Sequence, residues 1–247
     1  MLRGVATYPA LMQTIESARA RDWPVDAILV TGDLVQDDAG GYAVFRRALG
    51  NLGAPVYCLP GNHDLAEVMR SELREPPFKV GGTVDLGAWR IVLLDSTVAG
   101  SAGGRLSSQS LAELDAALAG APERHALVCL HHHPVAMSSL WLDQVGLANP
   151  EEFFRVLDAH RNVRAVLWGH VHQSFDALRR HVRLLGTPST CTQFLARSDQ
   201  FAIDPRPPAY RTLELRSDGT FQTEVVWLSP CAARSLTSGE KSSRLSG

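Results

Sequence analysis

The sequence predicts a layered α/β protein with a mostly parallel sheet and a second, more antiparallel one. Three observations lead there. Helical and short apolar strand patterns alternate from Thr7 to Trp168, the chain beyond that point reads as strands, and loops rich in Asp, Asn and His begin where strands end. In open α/β sheets ligands collect at the carboxyl ends of strands, so those loops mark a candidate site.

The elements follow in order. Leu11, Ile15 and Ala18 recur at helical spacing from Thr7 to Arg21, with Thr7 read as N-cap and Pro9 tolerated in the first turn. Ala27 to Thr31 is short, apolar and β-branched, bounded by Pro24 and Gly32, and reads as a buried strand. A helix from Tyr42 to Leu52, a strand from Val56 to Leu59 and a helix from Leu65 to Leu73 come next. Lys79 to Leu86 and Trp89 to Asp95 read as adjacent strands joined at Gly87, and Ser107 or Ser108 caps a helix carrying Leu111, Leu114 and Leu118. Ala126 to Leu130 is a strand, Glu151 to His160 a helix and Val163 to Trp168 a strand. Val182 to Leu185, Thr192 to Leu195, Tyr210 to Leu215 and Phe221 to Leu228 complete the strands, the last pair joined by a turn at Ser217-Asp218-Gly219.

Bulk composition narrows the partners. A chain of 247 residues, 45% hydrophobic and 20% charged, can bury a substantial core as one domain, expected over residues 1–231, with the Ser- and Gly-rich residues 232–247 read as a disordered tail. The formal net charge of -2, with both signs dispersed, offers no basic stripe for duplex nucleic acid, so no nucleic-acid partner is expected. Cys58, Cys129, Cys191 and Cys231 are scattered without a C-x-x-C pair and read as reduced thiols of a cytoplasmic protein. Gln13, Glu16 and Arg19 interrupt the N-terminal apolar residues, and no run reaches the length of a membrane span, so no membrane partner is expected either. Oligomeric state has no sequence signal.

The chemistry lies in the loops. Two divalent cations roughly 3.5 to 4 Å apart can clamp the attacking and leaving oxygens of a phosphoryl group, and they need a shared carboxylate with nitrogen and oxygen ligands around it. Asp33, after Gly32, is the candidate bridge; alone it would read as a turn former or helix cap. Asn62 supplies a neutral oxygen beside His63 and Asp64 in a loop opened by Pro60-Gly61. His131, His132 and His133 precede Pro134 at a strand end; His131 would leave the strand toward the site, whereas His132 and His133 read as orienting or surface residues. His170 and His172 flank Val171, and if extended they would point to the same side, one imidazole per metal. Asp95 reads either as an orienting partner for a histidine or as a cap on the turn at Ser96-Thr97, and Asp37 and Asp38 either adjust the site electrostatically or, at least as readily, form a solvated acidic loop. Most tryptophans read as core; Trp141, in a loop after the histidines, is the exception that could face a base.

Taken in order, Gly32-Asp33, Gly61-Asn62-His63-Asp64, His131 and Gly169-His170-Val171-His172 resemble the successive motifs of the calcineurin-like metallophosphoesterases. Closer similarity is to the bacterial class III 3′,5′-cyclic-AMP phosphodiesterases, through Thr31 to Asp37, Leu59 to Asp64, Ala121 to His125, His131 to Pro134, Trp141 to Gln144 and Thr187 to Cys191. The resemblance implies a four-layer α/β/β/α sandwich and two divalent metal ions, Fe, Mn or Zn. It further implies that Asp33 bridges the metals, that Asn62, His131 and His170 complete one site and that His172 contributes to the other. Asn62, His63 and His172 would contact a small cyclic nucleotide. His63 would stabilise or protonate the leaving oxygen while a metal-bridging hydroxide attacks in line, giving 5′-AMP.

The same resemblance implies an opening strand ending Asp-x-His that belongs to the first metal site. The segment before Asp33 contains no histidine, and its aspartates are Asp22 and Asp26. On this reading the domain is N-terminally incomplete, its first site keeps Asp33 and His172, and its second keeps four ligands. Another phosphodiesterase or phosphomonoesterase activity, or a metal-binding remnant with impaired catalysis, stands as the alternative.

Overall fold

The structure is a computed structural model that describes residues 4–229. The tail expected over 232–247, and Cys231, lie outside the described residues. The first helix, α1 (Thr7–Arg21), has the predicted span, but Ala6 is its N-cap and Thr7 is already helical, so the threonine makes no cap hydrogen bond.

The parallel elements α1, β1 (Ile28–Val30), α2 (Gly41–Leu49), β2 (Val56–Cys58), α3 (Ala66–Glu72) and β3 (Phe78–Val80) build a three-stranded sheet in the order β1-β2-β3. Tyr42 and Phe45 of α2 and Met69 of α3 pack with Val56 and Cys58 on one face of it. The run Lys79 to Leu86 is not one strand. Gly81 and Gly82, at φ 67° and 78°, turn the chain between β3 and β4 (Gly82–Leu86), and β4 joins a different sheet. Left-handed backbone of this kind suits glycine, which has no Cβ to clash.

That second sheet has six strands in the order β4-β5-β6-β7-β9-β8, formed by β4, β5 (Trp89–Leu93), β6 (His125–Leu130), β7 (Val163–Trp168), β8 (Phe175–Arg179) and β9 (Val182–Gly186). Its centre from β5 to β9 is parallel and its edge strands are antiparallel, so the sheet is mixed. The helices α4 (Ser108–Ala119) and α6 (Pro150–Asp158) cover one face through Leu114, Leu118, Phe153 and Leu157. Ser107 caps α4 as predicted, accepting from the Ser110 backbone N–H at 3.0 Å. The other face meets the three-stranded sheet, where Leu59, Leu29 and Tyr57 pack with Ile91, Leu127 and Leu167.

The short helix α5 (Leu140–Asp143) and strand β10 (Gln193–Phe194) reach the cleft through Trp141, Leu142 and Phe194, and β10 pairs antiparallel with the two-residue strand β11 (Ile203–Asp204). Strands β12 (Ala209–Leu215) and β13 (Phe221–Trp227) form the predicted antiparallel hairpin. The architecture is thus an α/β fold with a parallel sheet and a mixed one, the purely antiparallel pairing being confined to ribbons. Among the described residues no helix is long and apolar enough to cross a membrane, and Cys58, Cys129 and Cys191 are free and buried.

Candidate functional site

The loops after β1, β2, β6 and β7 converge at the carboxyl ends of their strands, two from each sheet. Gly32 and Gly61 permit the approach. A Cβ on Gly32 would collide with the His131 ring and stand 2.8 Å from the Gly61 amide nitrogen; one on Gly61 would meet the Asp33 carboxylate. Asp64 locks the two loops together. Its carboxylate accepts from the Leu34 N–H at 3.2 Å, the Gly61 N–H at 2.9 Å and the buried Tyr42 hydroxyl at 3.0 Å, and Tyr42 in turn accepts from the Leu65 N–H. Asp33 adopts φ 56°, a region costly for a residue with a Cβ and retained where the surroundings over-determine it.

Asp33 Oδ1 accepts from the His63 N–H at 3.0 Å, and Oδ2 faces His131 Nε2 at 3.3 Å. His131 Nδ1 donates to the Thr31 carbonyl at 2.7 Å, which fixes the tautomer of the neutral ring and leaves a lone pair on Nε2. That nitrogen also lies 3.2 Å from Asn62 Oδ1. Three acceptors therefore converge, and either a proton on Nε2 or a cation among them relieves the conflict. Burial alone would push the Asp33 carboxyl upward, but the His131 charge and hydrogen bond hold it well below the usual range, and Asp33 in turn raises His131 against its own burial.

His132 and His133 are not surface residues; both are buried. Ring nitrogens of His131, His132 and His170 lie within 4.8 Å of one another, a group that could hold a metal ion. The His132 ring is fixed by Ser96 Oγ at 2.8 Å from Nδ1. His132 Nε2 and His170 Nε2 are buried without a hydrogen-bond partner, a costly state that a metal would relieve. Burial lowers the pKa of His132 to about 3, with the His131 charge adding to it, and lowers His170 well below the ordinary value. Neutral imidazoles are the form that binds metals, so the donor set fits the expected divalent cation.

The extended geometry expected for His170 and His172 is not found. Both are left-handed, at φ 62° and 48°, around a tight turn in which the Val171 N–H donates to the Gly169 carbonyl at 2.6 Å. The two rings make different contacts. His170 joins His131 and His132, with ring centroids 5.0 and 4.9 Å away. His172 donates from Nδ1 to the Thr192 carbonyl at 2.7 Å and stacks on Phe194, leaving Nε2 as its lone-pair nitrogen. Burial lowers its pKa to about 4.

His63 sits at the mouth of the cleft, its Nδ1 2.7 Å from Gln36 Nε2 and 3.2 Å from Asp37 Oδ2. Asp37 thus stands beside His63 while its side chain stays largely in solvent. Asp95 takes the capping alternative, accepting from the Thr97 N–H and hydroxyl while pairing with Arg70 at 2.6 Å. The role of orienting a histidine goes to its neighbour Ser96. Asp22 lies at the end of α1 and accepts from the Tyr210 hydroxyl at 2.5 Å. Sequence reading did not anticipate that His132 joins the buried histidine group, though the histidine run was its signal, nor that Ser96 fixes its ring and Phe194 stacks on His172, which had none.

These loops and strands belong to a known family. The calcineurin-like phosphoesterase family model matches residues 4–174, and this chain is a member of that family. Its relatives include 3′,5′-cyclic adenosine monophosphate phosphodiesterase CpdA of Pseudomonas aeruginosa, 42% identical over 226 residues, which span 91% of this chain and 82% of that protein. The CpdA of Escherichia coli is 42% identical with the same coverage of each chain. A dimetal phosphatase from Danio rerio shares the fold at a TM-score of 0.55 and 16% identity, over 90% of this chain and 89% of that one.

Proposed function

We propose that this protein hydrolyses 3′,5′-cyclic AMP to 5′-AMP with the help of divalent cations. The reading rests on one observation above all. The acceptors of Asp33, Asn62 and His131 converge beside orphaned histidine nitrogens, in a chain 42% identical to cyclic-AMP phosphodiesterases over 91% of its length.

In this reading Asp33, Asn62, His131 and His170 would hold one cation, and Asp33 and His172 would contribute to a second. Fe, Mn or Zn would supply Lewis acidity toward the phosphoryl oxygens and lower the pKa of water. Because the product keeps its 5′ phosphate, the bond that breaks is to the 3′ oxygen. His63, whose Nδ1 accepts from the Gln36 amide beside the Asp37 carboxylate, would turn Nε2–H to that leaving oxygen and give it the proton as water attacks phosphorus. Asn62 and His172 orient the phosphate. The layer order that supports this site is read as α/β/β/α, with the helices outside and the apolar contact between Leu59 and Leu127 at the centre.

Turnover of cyclic AMP and of a generic aryl phosphodiester, each with Mn²⁺ or Fe²⁺, tests the assignment. Faster hydrolysis of cyclic AMP supports it, and hydrolysis of the aryl ester alone overturns it. A second reading, a one-metal protein with impaired catalysis, has its own support. His172 stands outside the group formed by His131, His132 and His170 among the described residues. Metal analysis separates the two: two ions per chain with sustained turnover removes the second reading.

A further inference from the structure

Residues 192–194 grip His172 through both its ring and its backbone. The Thr192 carbonyl accepts from His172 Nδ1 at 2.7 Å, the Phe194 N–H donates to the His172 carbonyl at 3.2 Å, and the Phe194 ring stacks on the imidazole with centroids 4.1 Å apart. His172 needs such a hold, because its φ of 48° is unfavourable for a residue with a Cβ and persists where the surroundings over-determine it. The gripping segment is itself short. Strand β10 pairs with β11 through Gln193 and Phe194 alone, so a second fixing point decides whether it keeps its place.

Gln193 is that point. Successive side chains of a strand point to opposite faces, and while Phe194 meets His172 the fully buried Gln193 side chain ends in a clasp elsewhere. Its Oε1 accepts from the Ser189 N–H at 2.9 Å, and its Nε2 donates to the Ser189 carbonyl at 2.7 Å and to the Pro207 carbonyl at 3.1 Å. The Ser189 carbonyl also accepts from the Ala209 N–H at 3.0 Å, where β12 begins. One side chain therefore joins β10, the segment leading into β12 and the loop that borders the cleft through Thr187, Ser189 and Cys191. Filling the volume does not call for an amide, since a buried polar group is costly unless it is hydrogen-bonded and an apolar side chain carries no such demand. What the amide adds is direction.

We infer that Gln193 is a positioning residue for His172: it fixes Thr192 and Phe194 against that ring, and so fixes which ring nitrogen keeps the lone pair. The inference rests on the proposed function for what His172 does with that lone pair, and it assigns how the ring is held.

The test reads the ring itself, in the metal-free full chain at neutral pH, from the imidazole nitrogen signals in proton–nitrogen NMR. Burial lowers the His172 pKa to about 4, so the ring is neutral there and its signals report the tautomer. In the wild type the two nitrogens should resonate far apart, Nδ1 protonated and Nε2 bare. Gln193→Met keeps the length of the side chain and loses all three hydrogen bonds, and it should draw the two signals toward their mean as the second tautomer gains population. Leu118→Ala opens a cavity under α4, and it should lower Tm while leaving the His172 signals in place. The inference is overturned if Gln193→Met leaves the signals unmoved, or if Leu118→Ala moves them as far. If Gln193→Met does not fold, the wild type decides. Its Gln193 side-chain amide protons should exchange with solvent about a hundredfold more slowly than those of exposed Gln200, and equal rates overturn the clasp. Neither measurement needs metal or substrate, so wild-type turnover of cyclic AMP reports on the proposed function separately.

Discussion

The wall of the cleft that carries His131, His132 and His170 grows from β6 and β7, strands buried almost throughout, whereas the wall that carries Asp33 hangs from β1, half-buried along its whole length. Strand β1 ends the three-stranded sheet among the described residues and borders a cleft of about 2240 Å³. The difference shows two ways of holding a ligand still. On the histidine wall, core packing sets the backbone and the rings need only one orienting contact each, as Ser96 gives His132. On the aspartate wall, a carboxylate does the holding, because Asp64 gathers donors from both loops and from Tyr42.

If the histidine wall is the metal-binding half, the largest effect will come from His170→Ala. Loss of an orienting partner costs roughly 10- to 100-fold in metal affinity, and loss of a ligand should exceed that range. Bound Mn²⁺ counted by atomic absorption should fall and turnover with it; unchanged metal content would break the assignment.

Acid should act chiefly on the same wall. Burial lowers His132 to about 3 and His133 and His172 to about 4, below the ordinary histidine value. A group whose folded pKa is depressed contributes stability that is present above its unfolded pKa and lost as pH falls toward its folded one. The metal-free protein should therefore hold its Tm above pH about 6.5 and lose stability between there and about 4. His131 works in the opposite sense, since Asp33 raises it, and its contribution fades on the alkaline side. A flat Tm from pH 7 to 4, measured by calorimetry, would contradict the burial of neutral imidazoles.

The aspartate wall is tested by Asp64→Ala. The change strands the Leu34 and Gly61 amides and the Tyr42 hydroxyl, and each buried orphan costs about 1 to 3 kcal/mol. Urea unfolding should show a loss of a few kcal/mol with little change in m, together with slower turnover as Asp33 loses its register. The smallest effect is expected for Ser96→Ala, which frees the His132 ring without removing a proposed ligand. About tenfold weaker Mn²⁺ binding, with stability nearly unchanged, is the expected reading by calorimetric titration.

Much of this molecule was legible in one dimension. The span of α1, the capping of α4 by Ser107, the strands that end at the four loops and the terminal hairpin all follow from apolar periodicity and turn residues, which report local conformation and burial. Apolar runs also placed Asp33, Asn62, His63 and the histidines just past strand ends, where the structure brings their loops together. The division of Lys79 to Leu86 between two sheets was less visible, since a pair of glycines inside an extended run can mark a bulge as readily as a change of sheet. Strands β8 and β11 were missed for a related reason: one is a half-exposed edge and the other only two residues long.

The sequence by itself determined at which end of the strands the Asp, Asn and His residues of the four loops would stand, because apolar runs and turn residues mark where strands stop. Only the tertiary structure decided how they face one another. The tautomer of His131 depends on a carbonyl at Thr31, that of His172 on one at Thr192, and the orientation of the His132 ring on Ser96. The left-handed turn at His170 and His172 divides two residues that an extended reading keeps together. A ring nitrogen becomes a metal ligand through what its opposite nitrogen touches, and in this protein those partners lie far away along the chain.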